Sequence, residues 1–533
     1  MERISKSKYG TPGMITSLFV LLLLVVFPLF VHKQYIDILS AKYMFFYISV
    51  ITMTILVIGS RLINKNEKAF ETLYDGVKRW MAPDVAVLSF WILCLLSTLL
   101  SYYFYESFWG NEGRYCGFFL LTIFTLMYFV VSRKLQFSQL YIDAFLIGAM
   151  LVCLWGISDF FQLDIFGFRV DLSPGDQPNF TSSFGNINTY TAYLSFVIGV
   201  SGTMFIATAK SKRLIWYTIC IVISFFAIIV GWSDNAYLAL AALFGFIPFY
   251  AFRTKTGAKR YLMMLVVFAT VAQCVTWVCV ALRGKVVEAS SLFNVLGESQ
   301  WLFLIVILLW GITICVYKLD GKKGGTSWGV LKPYFYKIWI AFIFIVLVAI
   351  SALLFDANTA QDPYKYGALS KYLVFNDEWG THRLYNWKLG IANYREFSLL
   401  HKIFGYGPET YGIVTVTNNY TEMVNMFHEK YDNAHNEYLQ YFITIGPMGL
   451  LAYLGMLVSG GRLMIKKAIN NPGIMAMFFA VICYAVQAAV NIATPMTTPF
   501  VWLFLAMGVA ACRNEDSIKE FSKEADLRAK DEE

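Results

Sequence analysis

The chain has 533 residues, 58% hydrophobic and only 15% charged, with a formal net charge of +8. That is too little charge to cover a soluble protein of this length. The basic residues sit between long apolar blocks, which marks membrane orientation and argues against nucleic-acid binding.

Apolar blocks of about 20 residues cross a bilayer as helices, because lipid cannot satisfy a free backbone amide. The first block, Met14 to Val31, follows Arg3, Lys6 and Lys8. It resembles a signal peptide but is long and lacks a convincing cleavage site, so it reads as a retained span. The expected spans are 14–31, 43–60, 84–103, 117–132, 140–158, 187–207, 214–232, 236–252, 261–282, 300–317, 338–355, 437–459, 473–491 and 499–512. The fold class is all-α: a polytopic transmembrane helical bundle of about 14 spans with both termini cytoplasmic. In this frame cytoplasmic segments hold 30 of the 43 Lys and Arg, and the short outer loops hold 6. Spans 1–11 fill residues 1–355, a large extracytoplasmic loop fills 356–435, spans 12–14 fill 436–512, and a charged tail follows at 513–533. All nine cysteines lie in or at the edges of apolar blocks, which leaves no disulfide framework. Asp143 is the clearest intramembrane carboxylate and lies near a cytoplasmic end, whereas ion-coupled transporters place such groups near the midplane.

An 80-residue loop is rarely an idle connection. Residues 356–435 hold four of the five histidines (His382, His401, His428 and His435), together with Arg383 and Arg395. Leu384, Trp387, Ile391 and Tyr394 recur at helical spacing, which predicts an amphipathic helix lying against the membrane or the bundle. A turn-forming stretch follows, Gly405-Tyr406-Gly407-Pro408. The loop ends at His435-Asn436-Glu437-Tyr438-Leu439, directly before a span that contains Gly446-Pro447-Met448-Gly449. A histidine at a helix N-terminus is held neutral by the helix dipole, as a general base requires, and the same end suits a phosphate. The other three histidines are spaced by 19 and 27 residues, which matches no standard zinc site.

These motifs, in this order, resemble the O-antigen ligase and polymerase superfamily. Trp109-Gly110-Asn111-Glu112-Gly113-Arg114-Tyr115-Cys116-Gly117 resembles its Arg-x-x-Gly outer loop. Phe184-Gly185-Asn186-Ile187-Asn188 resembles its Gly-Asn-x-Asn span entry, and Arg383 with Trp387 resembles its arginine helix. The resemblance implies a GT-C-like membrane enzyme of the bacterial cytoplasmic membrane, acting on its outer face. It would transfer a glycan from a polyprenyl-pyrophosphate carrier to an acceptor hydroxyl, without metal or other cofactor. The acceptor would be a glycan, lipid, protein or wall polymer. It also implies an arginine in the turn between two central spans, where this chain reads Ser233-Asp234-Asn235; Arg114 or Arg169 is then the substitute.

On this reading His435 and Arg383 are catalytic, and Arg114, Asn186, Asn188, Trp387, Tyr406, Asn436 and Glu437 bind substrate. Each has a plainer alternative. His435 is an interfacial helix-cap residue, Arg383 a surface residue of an amphipathic helix, Arg114 an ordinary loop charge, and Asn186 and Asn188 helix caps at a span entry. Glu437 lies two residues from His435, so their side chains diverge on a helix. The competing functions are a lipid-linked glycan flippase or exporter and a non-catalytic assembly protein.

Overall fold

The computed structural model describes residues 10–63, 80–111, 113–209, 211–288, 291–297, 299–320, 328–468 and 471–531. The basic N-terminal cluster lies outside them. The fold is almost wholly helical; among the described residues the one strand pairing joins Phe180–Thr181 to Gly185–Asn186. Eleven described helices are long and apolar enough to cross a membrane.

The difference from the expected 14 spans rests on three elements. Phe118–Lys134 has 17 residues and Ala236–Ala251 has 16, roughly 25 Å of helix against the roughly 30 Å of a bilayer core. Thr498–Asp531 starts apolar and continues unbroken into the charged tail, so the expected last span and the tail form one helix. Two other expected spans change outline. Residues 338–355 lie inside the 32-residue helix Trp328–Thr359, and residues 437–459 divide into Glu437–Thr444 and Gly446–Lys467.

The chain forms two compact units. The first comprises residues 1–149, 394–481 and 492–533; the second comprises 150–393 and 482–491. In the first, Ala82–Leu100 lies along Gly446–Lys467, Phe118–Lys134 along Thr498–Asp531, and Gly10–Leu21 along Ile38–Ile63. The fully buried Asp84 accepts a hydrogen bond from the Tyr128 hydroxyl at 2.9 Å and pairs with Arg133 and Arg513. A buried carboxylate is tolerated only with such partners, and these bring three helix segments to one end of the unit. The first helix passes through a π turn at Leu22–Val26 and ends at Leu29, just after Pro28. The buried Lys42 serves that helix end by donating to the carbonyls of Phe27 at 3.1 Å and Pro28 at 2.7 Å.

The second unit is organised on Ile187–Ala207, in which every residue from Thr189 to Ile206 is buried. Ser211–Val230, Ala236–Ala251 and Lys255–Ala281 pack around it. Trp328–Thr359, with mean hydropathy 3.0 over its most apolar stretch, buries none of that stretch in protein. Such a surface is stable only against lipid. The indole of Trp339 ties this helix to the Gly245 carbonyl at 3.0 Å.

The expected outer loop is itself largely helical, with Trp379–Glu396, Leu399–Phe404 and Tyr411–Phe427 as its main elements. It is not a third unit, since residues 356–393 belong to the second and 394–435 to the first.

Candidate functional site

In the first unit, the Gly-Tyr-Gly-Pro turn seats itself in a break between two helices. Glu437–Thr444 ends at Ile445, and Gly446 takes φ +78° before the next helix starts with Pro447 in its first turn. The freed carbonyl of Thr444 accepts from the Gly407 amide at 2.8 Å and the Ser97 hydroxyl at 2.9 Å, answering the orphan acceptor of a helix end. The approach leaves no room for side chains. A Cβ on Gly405 would stand 2.2 Å from the Thr444 oxygen, and one on Gly446 would stand 2.1 Å from the Ile403 oxygen. Tyr406, between the two turn glycines, packs its ring against Phe397 and His401 at centroid distances of 4.6 and 4.4 Å. It is half-buried at the margin of an apolar cluster of Phe397, Tyr411, Val414, Ala434 and Ile443.

Arg114 sits in a loop closed by two glycines. Gly110 has φ +88°, and a Cβ on Gly117 would come within 2.2 Å of the Gly110 amide. The arginine spans from this loop to Asp432, with Nη2 2.7 Å from Oδ1 and Nε 3.4 Å from Oδ2. Glu409, buried at φ +60°, lies within electrostatic reach of the same pair. Burial pushes its carboxyl up to about 7, Arg114 pulls it back and Asp432 adds to the rise.

Three residues after Asp432 comes His435, itself left-handed at φ +48° and half-buried. Its amide donates to Asn433 Oδ1 at 3.0 Å, and the Ala434 amide donates to Gln440 Oε1 at 3.0 Å. Asn436 caps the following helix, accepting from the amides of Tyr438 and Leu439, the role that asparagine performs best. Glu437, in the first turn, is buried and accepts from the Tyr453 hydroxyl at 2.5 Å. Its carboxylate is thereby engaged inside the fold, at the end of the helix whose dipole favours it.

In the second unit, Asn186 accepts from the Asn188 amide at 2.8 Å and caps Ile187–Ala207. Asn188 joins a polar network: the Ser233 hydroxyl lies 2.6 Å from its Oδ1, and Asn491 donates to its carbonyl at 3.1 Å. Asn235 is held in turn by the Thr191 hydroxyl at 2.7 Å. The turn in which the resemblance places an arginine is thus pinned by hydroxyls and amides. Its Asp234 accepts from the Leu292 amide at 2.8 Å and interacts with Tyr372 and Arg383. Neither expected substitute is uncommitted. Arg169 is buried on the carbonyls of Asp159 and Gln177, and Arg114 is paired with Asp432.

Arg383 follows three left-handed residues, Gly380, Thr381 and His382, which kink the start of Trp379–Glu396. Its Nη1 donates to the Gly380 carbonyl at 2.8 Å, while its buried Nε has no partner among the described residues. Burial draws this guanidinium below its usual range, with Asp234 opposing. Trp387 packs edge-on to Trp379 at 5.8 Å. The expected apolar face needs correction. Tyr385, Asn386, Leu389, Gly390 and Asn393 are the buried set, and Ile391 is exposed. The buried face mixes Tyr385 and Leu389 with Asn386, Gly390 and Asn393, polar and small positions that a hydrophobicity pattern does not register. His401 and His428 serve helix ends. His401 is buried with its ring on the Gly405 carbonyl, and His428 is the left-handed C-cap of Tyr411–Phe427.

The first unit therefore brings together Arg114, Tyr406, His435, Asn436 and Glu437, and the second holds Asn186, Asn188, Arg383 and Trp387. Asp432, Glu409 and Tyr453 were not singled out by sequence; only the buried positions of their partners reveal them. Residues 286–454 match the family model described as O-antigen ligase. The chain carries an O-antigen ligase domain. No curated protein matches the chain. The O-antigen ligase domain contains Arg383, Trp387, Tyr406, His435, Asn436 and Glu437, whereas Arg114, Asn186 and Asn188 precede the matched residues. The matched residues resemble O-antigen ligases, and the eleven long apolar helices are those of a membrane protein.

Proposed function

We propose that the protein transfers a glycan from a polyprenyl-pyrophosphate carrier to an acceptor hydroxyl on the outer face of the bacterial cytoplasmic membrane. The observation that carries this reading is the O-antigen ligase match over 286–454, within which His435 stands directly before a capped helix. In a single displacement the acceptor oxygen bonds to the anomeric carbon as that carbon's bond to the pyrophosphate oxygen breaks. The bonding pair leaves with the pyrophosphate, and His435 takes the hydroxyl proton. Pyrophosphate is a good leaving group, so charge neutralisation matters more than a general acid. Arg383 is the group assigned to it, because guanidinium pairs with phosphate oxygens and this one has a buried donor to spare. Asn436 holds the helix end beside His435; Trp387, four residues after Arg383, and Tyr406, packed against the cluster that includes Ala434, offer ring faces.

The test uses membranes or proteoliposomes given a carrier-linked glycan and an acceptor. His435→Ala, present at normal membrane level, is expected to lose at least about a hundredfold in rate, the lower range for a general base. Product with the anomeric configuration retained would exclude the single displacement. In cells, deletion of the gene separates the two subclasses. Loss of long chains marks a polymerase, normal chains left on the carrier mark a ligase, and unchanged glycans would refute both in a strain with no second such enzyme.

A further inference from the structure

The Arg114 guanidinium is occupied. Nη2 and Nε face the two oxygens of Asp432, and the pair is largely shielded, with Arg114 at 20% and Asp432 at 36% exposure. Asp432 is also fixed from behind, since a Cβ on Gly412 would meet its backbone at 2.7 Å. From Asp432 the chain runs three residues to His435, and every step of that run is tethered. Asn433 is buried and holds the His435 amide; Ala434 is buried and donates to Gln440. The run ends in a left-handed histidine. A non-glycine residue in that region is strained, and it persists only where the surroundings over-determine it.

We propose that Arg114 is a positioning residue: its ion pair with Asp432 fixes the strained turn that presents His435, and its charge serves that carboxylate in place of a donor phosphate. The Gly110–Gly117 clasp gives the arginine a rigid mount, so the short outer loop holds the turn from outside the matched O-antigen ligase residues. The proposal rests on His435 being the base, and it makes Asp432 as important to the reaction as Arg114.

The two roles predict opposite behaviour for Asp432. Arg114→Ala, Asp432→Asn and the double variant are assayed for transfer across a range of carrier-linked donor. Hydrogen–deuterium exchange of residues 429–440 is followed in the same purified preparations. Each single variant is expected to lower kcat about tenfold with donor KM changed less than about twofold, and the double variant is expected to be no worse than either single, as for groups acting as one unit. Exchange at 431–436 rises in all three, and Arg114→Lys recovers part of both readouts. A raised donor KM in Arg114→Ala, with Asp432→Asn unchanged in rate and exchange, overturns the proposal and returns Arg114 to the donor. The exchange readout does not depend on chemistry. If exchange rises as expected but the wild-type protein transfers no glycan, the proposed function has failed while the positioning of the turn stands.

Discussion

Glu409 shows how one buried group ties local geometry to solution behaviour. The turn that carries it also delivers Tyr411 and Gly412 to the packing around Asp432, so the carboxyl is buried beside Arg114, Asp432 and the Cys116 thiol. Its pKa is raised from an ordinary 4.5 to about 7. Between those values the folded protein holds a proton that the unfolded chain has released, so stability falls as pH rises through the window and stays lower above it. Glu409→Gln removes this penalty, on the order of a few kcal/mol above pH 7. The expected result is a thermal inactivation midpoint above wild type at pH 8, with the gap closing as pH falls to 5. A gap independent of pH would show that Glu409 is not protonated in the fold. The residue types that carry the proposed chemistry, His435 and Arg383, are legible in the sequence by pattern and resemblance. Their partners are not, because Asp432 and Arg114 stand 318 positions apart and no local pattern records the pairing.

At the scale of elements, the break at Gly446 matters most. Hydropathy reads residues 437–459 as one span, and the sequence offers no reason to divide it except the Gly-Pro pair. The structure divides it so that the turn at 405–408 can reach the Thr444 carbonyl. Gly446→Ala would place a Cβ 2.1 Å from a backbone oxygen at a positive φ. Backbone atoms cannot step aside as a flexible side chain can, so the cost exceeds the roughly 1 kcal/mol of the dihedral alone. The expected outcome is a lowered melting midpoint in detergent and a broader elution profile than wild type. A variant as stable as wild type would mean that the turn does not seat there. Trp379–Glu396 carries a related lesson. The helical period holds, but the buried stripe is rotated toward Tyr385, Leu389 and Asn393 and takes in Asn386 and Gly390, positions that an apolar count leaves out.

For the whole molecule, orientation follows from charge. Residues 356–435 are expected outside, and the basic end of Gly446–Lys467 inside. Thr417 and Lys466 are both exposed, which makes them suitable reporters. In intact cells a membrane-impermeant maleimide should label Thr417→Cys and leave Lys466→Cys untouched until the cells are permeabilised. Labelling of Lys466→Cys alone in intact cells would reverse the assigned topology and move the proposed chemistry to the other face.

Sequence by itself determined that this is an all-helical membrane protein, where its apolar helices run, and which stretch concentrates groups able to do chemistry. Those properties depend on composition and on spacing along the chain, because lipid forces local satisfaction of the backbone. Helix lengths, the break at Gly446 and the commitments of Arg114, Arg169 and Glu437 were decided only by the tertiary structure. They depend on which distant groups meet, and a charge that looks free in the sequence is engaged once its partner is folded beside it.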